Sequence, residues 1–151
     1  MTYPHPGWHL PDPHSQPEFY ADVPLKRLIA FVIDTVVLLI IAVLAALLSF
    51  GLALVFILPL WWLLNLAYRT VTLTNGSATL GMRLVALEFR DAQGQRFDRA
   101  LAFQHSLGFM LSFSFFPLQI ISIVFMLTDP RAQGLTDKVL GTVALNRRAG
   151  A

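Results

Sequence analysis

The chain has 151 residues, 56% of them hydrophobic and 13% charged, against about 25% charged for an ordinary soluble domain. Its net charge is +2, and the basic residues stand beside apolar segments without forming a tract, which argues against nucleic acid and for lipid headgroups as the facing surface. Cysteine is absent, which excludes a disulfide framework, a thiolate nucleophile and a cysteine metal site.

Residues 1–24 read as a tail. Pro4, Pro6, Pro11, Pro13, Pro17 and Pro24 deny the backbone regular hydrogen bonds, so extended or irregular structure is expected. Trp8, Phe19 and Tyr20 have the character of residues at a membrane interface or a protein contact, with a mobile tail as the alternative. His5, His9 and His14 do not make a metal site, because the prolines between them forbid a helical i, i+4 arrangement. A cleavable signal peptide is not expected, since the first apolar run begins only after this acid-containing stretch.

From Leu25 to Tyr68 the text is apolar and interrupted only near Ser49, Phe50 and Gly51. One straight helix would be about 65 Å long, twice a bilayer, so two membrane-crossing helices are predicted at about 25–48 and 52–68. Pro59 is expected to kink the second, with Trp61, Trp62 and Tyr68 towards an interface. Asp34 lies inside the unbroken apolar run Leu28–Phe50, where a carboxylate is expensive and should be functional or paired. Arg27 precedes it by two helical turns on nearly the same face, but the side chains lean so that a direct pair is strained. Three readings stay open. Asp34 is an ionised partner of an arginine in a buried network, a proton or cation relay, or a protonated acid bonded to a neighbouring helix, for instance to Asn65. Arg83 and Lys138 are the candidate basic partners from elsewhere in the chain.

Residues 69–100 turn polar, with Arg69, Arg83, Arg90, Arg96 and Arg99 against Glu88, Asp91 and Asp98, and form a cytoplasmic loop. The loose alternation over 82–90 and the turn residues Asp91 to Gly94 predict a short β-hairpin, and a second strand-like piece at 141–147 is a possible partner for it. Residues 101–127 are apolar again but broken by Ser112, Ser114 and Pro117, giving two short helices at about 101–113 and 116–127. Basic residues flank every apolar segment on the same side, while the turn at Gly51 carries no charge. The positive-inside rule then requires an even number of crossings, with both termini cytoplasmic. Residues 101–127 should therefore enter and return as a broken or re-entrant pair; a single tilted span with an outside C-terminus is the rival. The fold class is thus an all-α membrane protein of two transmembrane helices and a re-entrant pair, with a small cytoplasmic strand pairing. Its domain covers residues 25–146, with a short C-terminal tail at 147–151.

These features together resemble the RDD family of small bacterial membrane proteins, named for one arginine and two aspartates. Tyr20 to Arg27 followed by Leu28 to Asp34 resembles its first signature, Asn75 to Leu84 its middle Thr-x-Gly segment, and Asp129 to Val143 its closing Gly-Leu-x-Asp segment ending in Gly-Thr. The resemblance implies that Arg27, Asp34 and Asp137 are the name-giving triad and that the protein sits in the bacterial cytoplasmic membrane. Two departures reduce positive charge near the triad. Met82 replaces a lysine often found after the glycine, and Gln104 or His105 stands where many relatives carry an arginine. Some members have been proposed as cation/proton antiporters, so the resemblance allows transport.

No catalytic residue, cofactor site or metal site emerges. There is no Gly-rich phosphate loop, no His-Glu-x-x-His and no nucleophile elbow. Asn75-Gly-Ser77 reads as a turn, His105 as a capping or interface residue, and Gly81, Gly134 and Gly141 as relief of strain at turns. Ser112, Ser114 and Ser122 are placed to line a polar path, although serines in membrane helices more often bond back to their own helix or pack closely. The reading is a non-enzymatic accessory or assembly component of a larger membrane complex, in contact with lipid and with other subunits or copies of itself. The alternative is a cation/proton transporter using Asp34.

Overall fold

The computed structural model describes residues 9–147. The readings placed on Pro4, His5, Pro6, Trp8 and residues 148–151 lie outside them. The chain is mostly helical, with one clear apolar helix and a two-stranded sheet.

Helix α1 (Val23–Leu48) carries Pro24 in its first turn, which the fixed φ of proline suits, and runs for 26 residues, about 39 Å at 1.5 Å each. Its buried residues Ala30, Asp34, Leu38 and Ala42 recur every fourth position and make one narrow stripe. The rest of its surface is apolar and outward-facing, including Leu28, Val32, Leu39, Val43 and Leu47. A core helix of a soluble protein would bury most of this surface, whereas α1 buries 22% of its most apolar window, whose mean hydropathy is 3.0. It is long and apolar enough to cross a bilayer.

Ser49, Phe50 and Gly51 turn the chain, the last two with positive φ. A single turn of helix, α2 (Leu52–Val55), breaks at Phe56 before α3 (Ile57–Gly76). Pro59 therefore sits in the first turn of a helix, where its missing N–H costs nothing, and does not kink a longer one. Helix α3 also continues past Tyr68, where the change to polar composition suggested a loop. The hydroxyls of its threonines are satisfied within the helix, Thr72 donating to the Tyr68 carbonyl and Thr74 to that of Thr70.

After α3 come α4 (Leu80–Leu84), capped by the Thr79 hydroxyl, and strand β1 (Leu87–Arg90). The predicted hairpin within this loop does not form. Asp91 to Gln95 do make a tight turn, but the residues beyond it lead into the cap of α5 (Arg99–Ser114), where the Asp98 carboxylate accepts the Leu101 N–H. Strand β1 pairs antiparallel with β2 (Val143–Asn146), putting Leu87 opposite Asn146 and Arg90 opposite Val143.

Helices α5 and α6 (Phe116–Thr128) meet at Phe115 with a bend of 115°. The break stands where Pro117 and the serines placed it. Helix α7 (Leu135–Leu140) then leads into β2.

The main apolar core gathers at the N-terminal end of α1, where Val23 and Ala30 meet Leu73, Met82, Phe89, Phe97 and Ala102. The described part of the tail is tied to this end. Tyr20, Phe19 and Leu10 pack on Val143 and Leu145, while the Asn146 amide donates to the Glu18 and Ala21 carbonyls. Lys26 donates to the Asn146 side-chain oxygen at 2.7 Å, so both ends of the described chain close together.

Helix α4 lies directly on α1, and Gly81 makes that approach possible: a Cβ there would collide with the Ala30 backbone. Gly81→Ala should therefore lower stability by about 1–3 kcal/mol, read from thermal unfolding of the detergent-solubilised protein. Wild-type stability in the variant would show that α4 does not need this close contact.

Candidate functional site

Two buried carboxylates define the site, and each is held by segments far apart in sequence. Asp34 projects from the buried stripe of α1 towards α3 and the start of α4. Its Oδ1 accepts from the Tyr68 hydroxyl at 2.6 Å and from the Gly81 N–H at 2.8 Å, and its Oδ2 from the Thr79 hydroxyl at 2.6 Å. The directions of these bonds are fixed by neighbours. The Tyr68 oxygen already accepts the Leu80 N–H and the Thr79 oxygen that of Met82, so each hydroxyl turns its proton to Asp34. All three groups around Asp34 thus present donors to it, and none an acceptor.

Asp137 is completely buried in the first turn of α7. Arg27 Nη1 pairs with its Oδ2 at 2.5 Å, and the Gly134 N–H donates to the same oxygen at 3.0 Å. On Oδ1 sit His105 Nε2 and the Thr142 hydroxyl, each at 2.8 Å. One side chain thus joins the start of α1, the middle of α5, the cap of α7 and the residue before β2. Burial alone would raise its pKa, but the charge of Arg27 and the bond from His105 outweigh it and hold the carboxyl well below the ordinary range.

Arg69 lies between the two acids on α3. It is buried, its guanidinium is 3.9 Å above the Phe109 ring centre, and it is within electrostatic reach of Asp34, Arg27 and Asp137. With half-buried Arg27, the group contains two arginines and two aspartates, so its formal charges cancel.

Of the residues named from the sequence, Arg27 and Asp137 meet directly. The other expected pairings are replaced. Asn65 bonds the Trp61 carbonyl of its own helix, Arg83 reaches the Ala78 and Thr72 carbonyls, and Lys138 pairs with Asp129 at 3.3 Å. None of the three bonds Asp34. The reason is geometric: the short helix α4 brings an N-terminal turn onto α1, and its hydroxyl and N–H reach Asp34 first.

Sequence reading missed Tyr68, assigned to an interface, Arg69, counted as a loop residue, and His105, read as a cap or interface residue. His105 is buried with its ring tilted against those of Phe89 and Phe97, and its Nδ1 has no hydrogen-bond partner among the described residues. A signal for it was present. His105 shares a helical face with Ala102, Ser106 and Phe109, a small-residue face suited to burial. Among the described residues no cluster of His, Asp and Glu is arranged to hold a metal ion.

The family model described as the RDD family matches residues 22–141, which include Arg27, Asp34 and Asp137. No curated protein and no solved structure matches the chain.

The depressed pKa of Asp137 fixes the sign of its pH dependence. Its stabilisation is complete above the unfolded-state value of about 3.9 and is lost as pH falls below it towards the lower folded value. Asp137→Asn should cost about 3 kcal/mol at neutral pH, with the gap to wild type closing below about pH 4. Unfolding temperatures measured from pH 8 to pH 3 check this; a gap that does not change with acid would show that Asp137 carries no charge in the folded protein.

Proposed function

The chain belongs to the RDD family, and on that premise we propose that it is a non-catalytic accessory or assembly component of a larger complex in the bacterial cytoplasmic membrane. In this reading α1 and the α2–α3 segment cross the bilayer, while α5 and α6 enter it and return. Both termini and the β1–β2 sheet then lie in the cytoplasm. The basic residues Lys26, Arg83, Arg90, Arg99, Arg131 and Lys138 border that end of the protein, and the Ser49–Gly51 turn is uncharged, as the positive-inside rule demands.

One observation supports the accessory role most directly: both buried acids are held by several hydrogen bonds from inside the fold. Asp34 receives three donors and Asp137 receives four. A proton or cation carrier must release its ligand at each cycle, which here would mean breaking bonds that hold α1 to α4. As clamps, the same bonds set one arrangement of short segments that bury little surface on their own. The outward faces of α1, α2 and α6 remain apolar and broad enough for lipid and for helices of other subunits.

Asp34→Asn in proteoliposomes carrying a pH-sensitive dye separates clamp from carrier. The proposal predicts no proton-coupled cation flux in wild type above protein-free vesicles, and a lowered unfolding temperature in the variant. A wild-type flux abolished by Asp34→Asn would replace the accessory role with transport.

A further inference from the structure

A cavity of about 560 Å³ opens between α1 and the bent pair α5–α6. Phe31, Phe109 and Met126 contribute apolar wall, and the ion pair of Arg27 and Asp137 lies at one end. Leu28, Phe113 and Leu127, which also line it, are 59%, 54% and 69% exposed on the outward apolar surface. The cavity is therefore continuous with the face the protein turns to the bilayer. Its volume is within the range of about 300–1,000 Å³ typical of small-molecule sites and too small to seat a helix about 10 Å in diameter over any length.

Among the polar side chains in the wall, Ser112, Gln119 and Thr136 make no hydrogen bond to the described residues, and the first two flank the α5–α6 bend. Ser112 is only 6% exposed, and Gln119 is half-buried one helix further on. Neither side chain has a hydrogen-bond partner among the described residues. The contrast with their neighbours is informative. Ser106 bonds back to the Ala102 carbonyl, Ser114 to that of Met110, and Ser122 accepts the Leu135 N–H. Ser112 makes no such bond and lines the cavity, and Gln119 adds two amide protons to the same wall.

We propose that this cavity binds one membrane phospholipid, with an ester-linked acyl chain between α1 and the α5–α6 bend and its ester carbonyls accepting from Ser112 and Gln119. The apolar walls suit a hydrocarbon chain. The unpaired donors match a ligand whose buried polar atoms are acceptors, and the outward rim gives entry from the side, where such lipids are the solvent. Nothing in this depends on whether the protein is an accessory subunit or a transporter; it requires only that the chain resides in a bilayer.

Native mass spectrometry of the full chain in mild detergent tests it, with dioleoyl phosphatidylethanolamine as one probe and its ether-linked analogue, which lacks the carbonyls, as the other. The expected result is a one-to-one complex with the ester lipid and about tenfold weaker binding of the ether lipid. Ser112→Phe, which fills the cavity, should remove the complex, and Gln119→Leu should narrow the ester-to-ether difference. Equal binding of ester and ether lipids by wild type overturns the proposal. So does an unchanged complex in folded Ser112→Phe, which would mark lipid held only at the outer surface. Should Ser112→Phe fail to fold, the ester-to-ether comparison on wild type and Gln119→Leu decides by itself.

Discussion

A carboxylate taken out of water must be both neutralised and hydrogen-bonded, and the arrangement of this protein follows from meeting that demand at Asp137. Four groups converge on it, from α1, α5, the cap of α7 and the residue before β2. Each of these segments is short or, like α1, has most of its surface turned outward. Apolar contact inside a bilayer gives such segments little reason to prefer one another over lipid. A fully buried carboxylate that pairs with Arg27 and takes three further donors gives them a specific address.

Asp34 performs the same task one helical layer along, with different chemistry. Its donors are two hydroxyls and a backbone N–H in place of a cation, and they come from α3 and α4. The two acids are complementary in what they fix. Asp137 brings the C-terminal segment back to the start of α1, whereas Asp34 presses the middle of the chain onto it. Arg69, stacked on Phe109, adds the second positive charge that balances the pair. The cost of burying four charges is limited by keeping them in one neutral group near the end of α1 where the sheet and the tail also pack.

Much of this was legible in the amino-acid sequence. The apolar run of α1, the break near Phe113 to Pro117 and the strand character within residues 82–90 and 141–147 each leave a local pattern, and the structure carries all three, with the break at Phe115 and strands at 87–90 and 143–146. The partners of Asp34 were not legible. Arginine, lysine and asparagine attract notice as counter-groups, but the residues that reach Asp34 are a tyrosine, a threonine and a glycine N–H whose positions depend on the path of the chain between α3 and α4. The hairpin expectation failed for a related reason. Local alternation over 82–90 is shared between a short helix and a strand, and the true partner strand lies more than fifty residues away. The length of α3 was misjudged because polar composition was taken to end a helix, whereas α3 runs on through Thr70, Thr72 and Thr74 to Gly76.

The central claim is that the Arg27–Asp137 bond holds the fold together as a pair, and a double-mutant cycle on unfolding free energy measures it. Arg27→Met and Asp137→Asn are made singly and together in the full chain, and stability is followed in one detergent at neutral pH. Each single change leaves a buried group without its partner, so the account predicts that the double variant loses at least about 1–2 kcal/mol less than the two single losses combined. Strictly additive losses would contradict it, showing that the two side chains stabilise the protein independently.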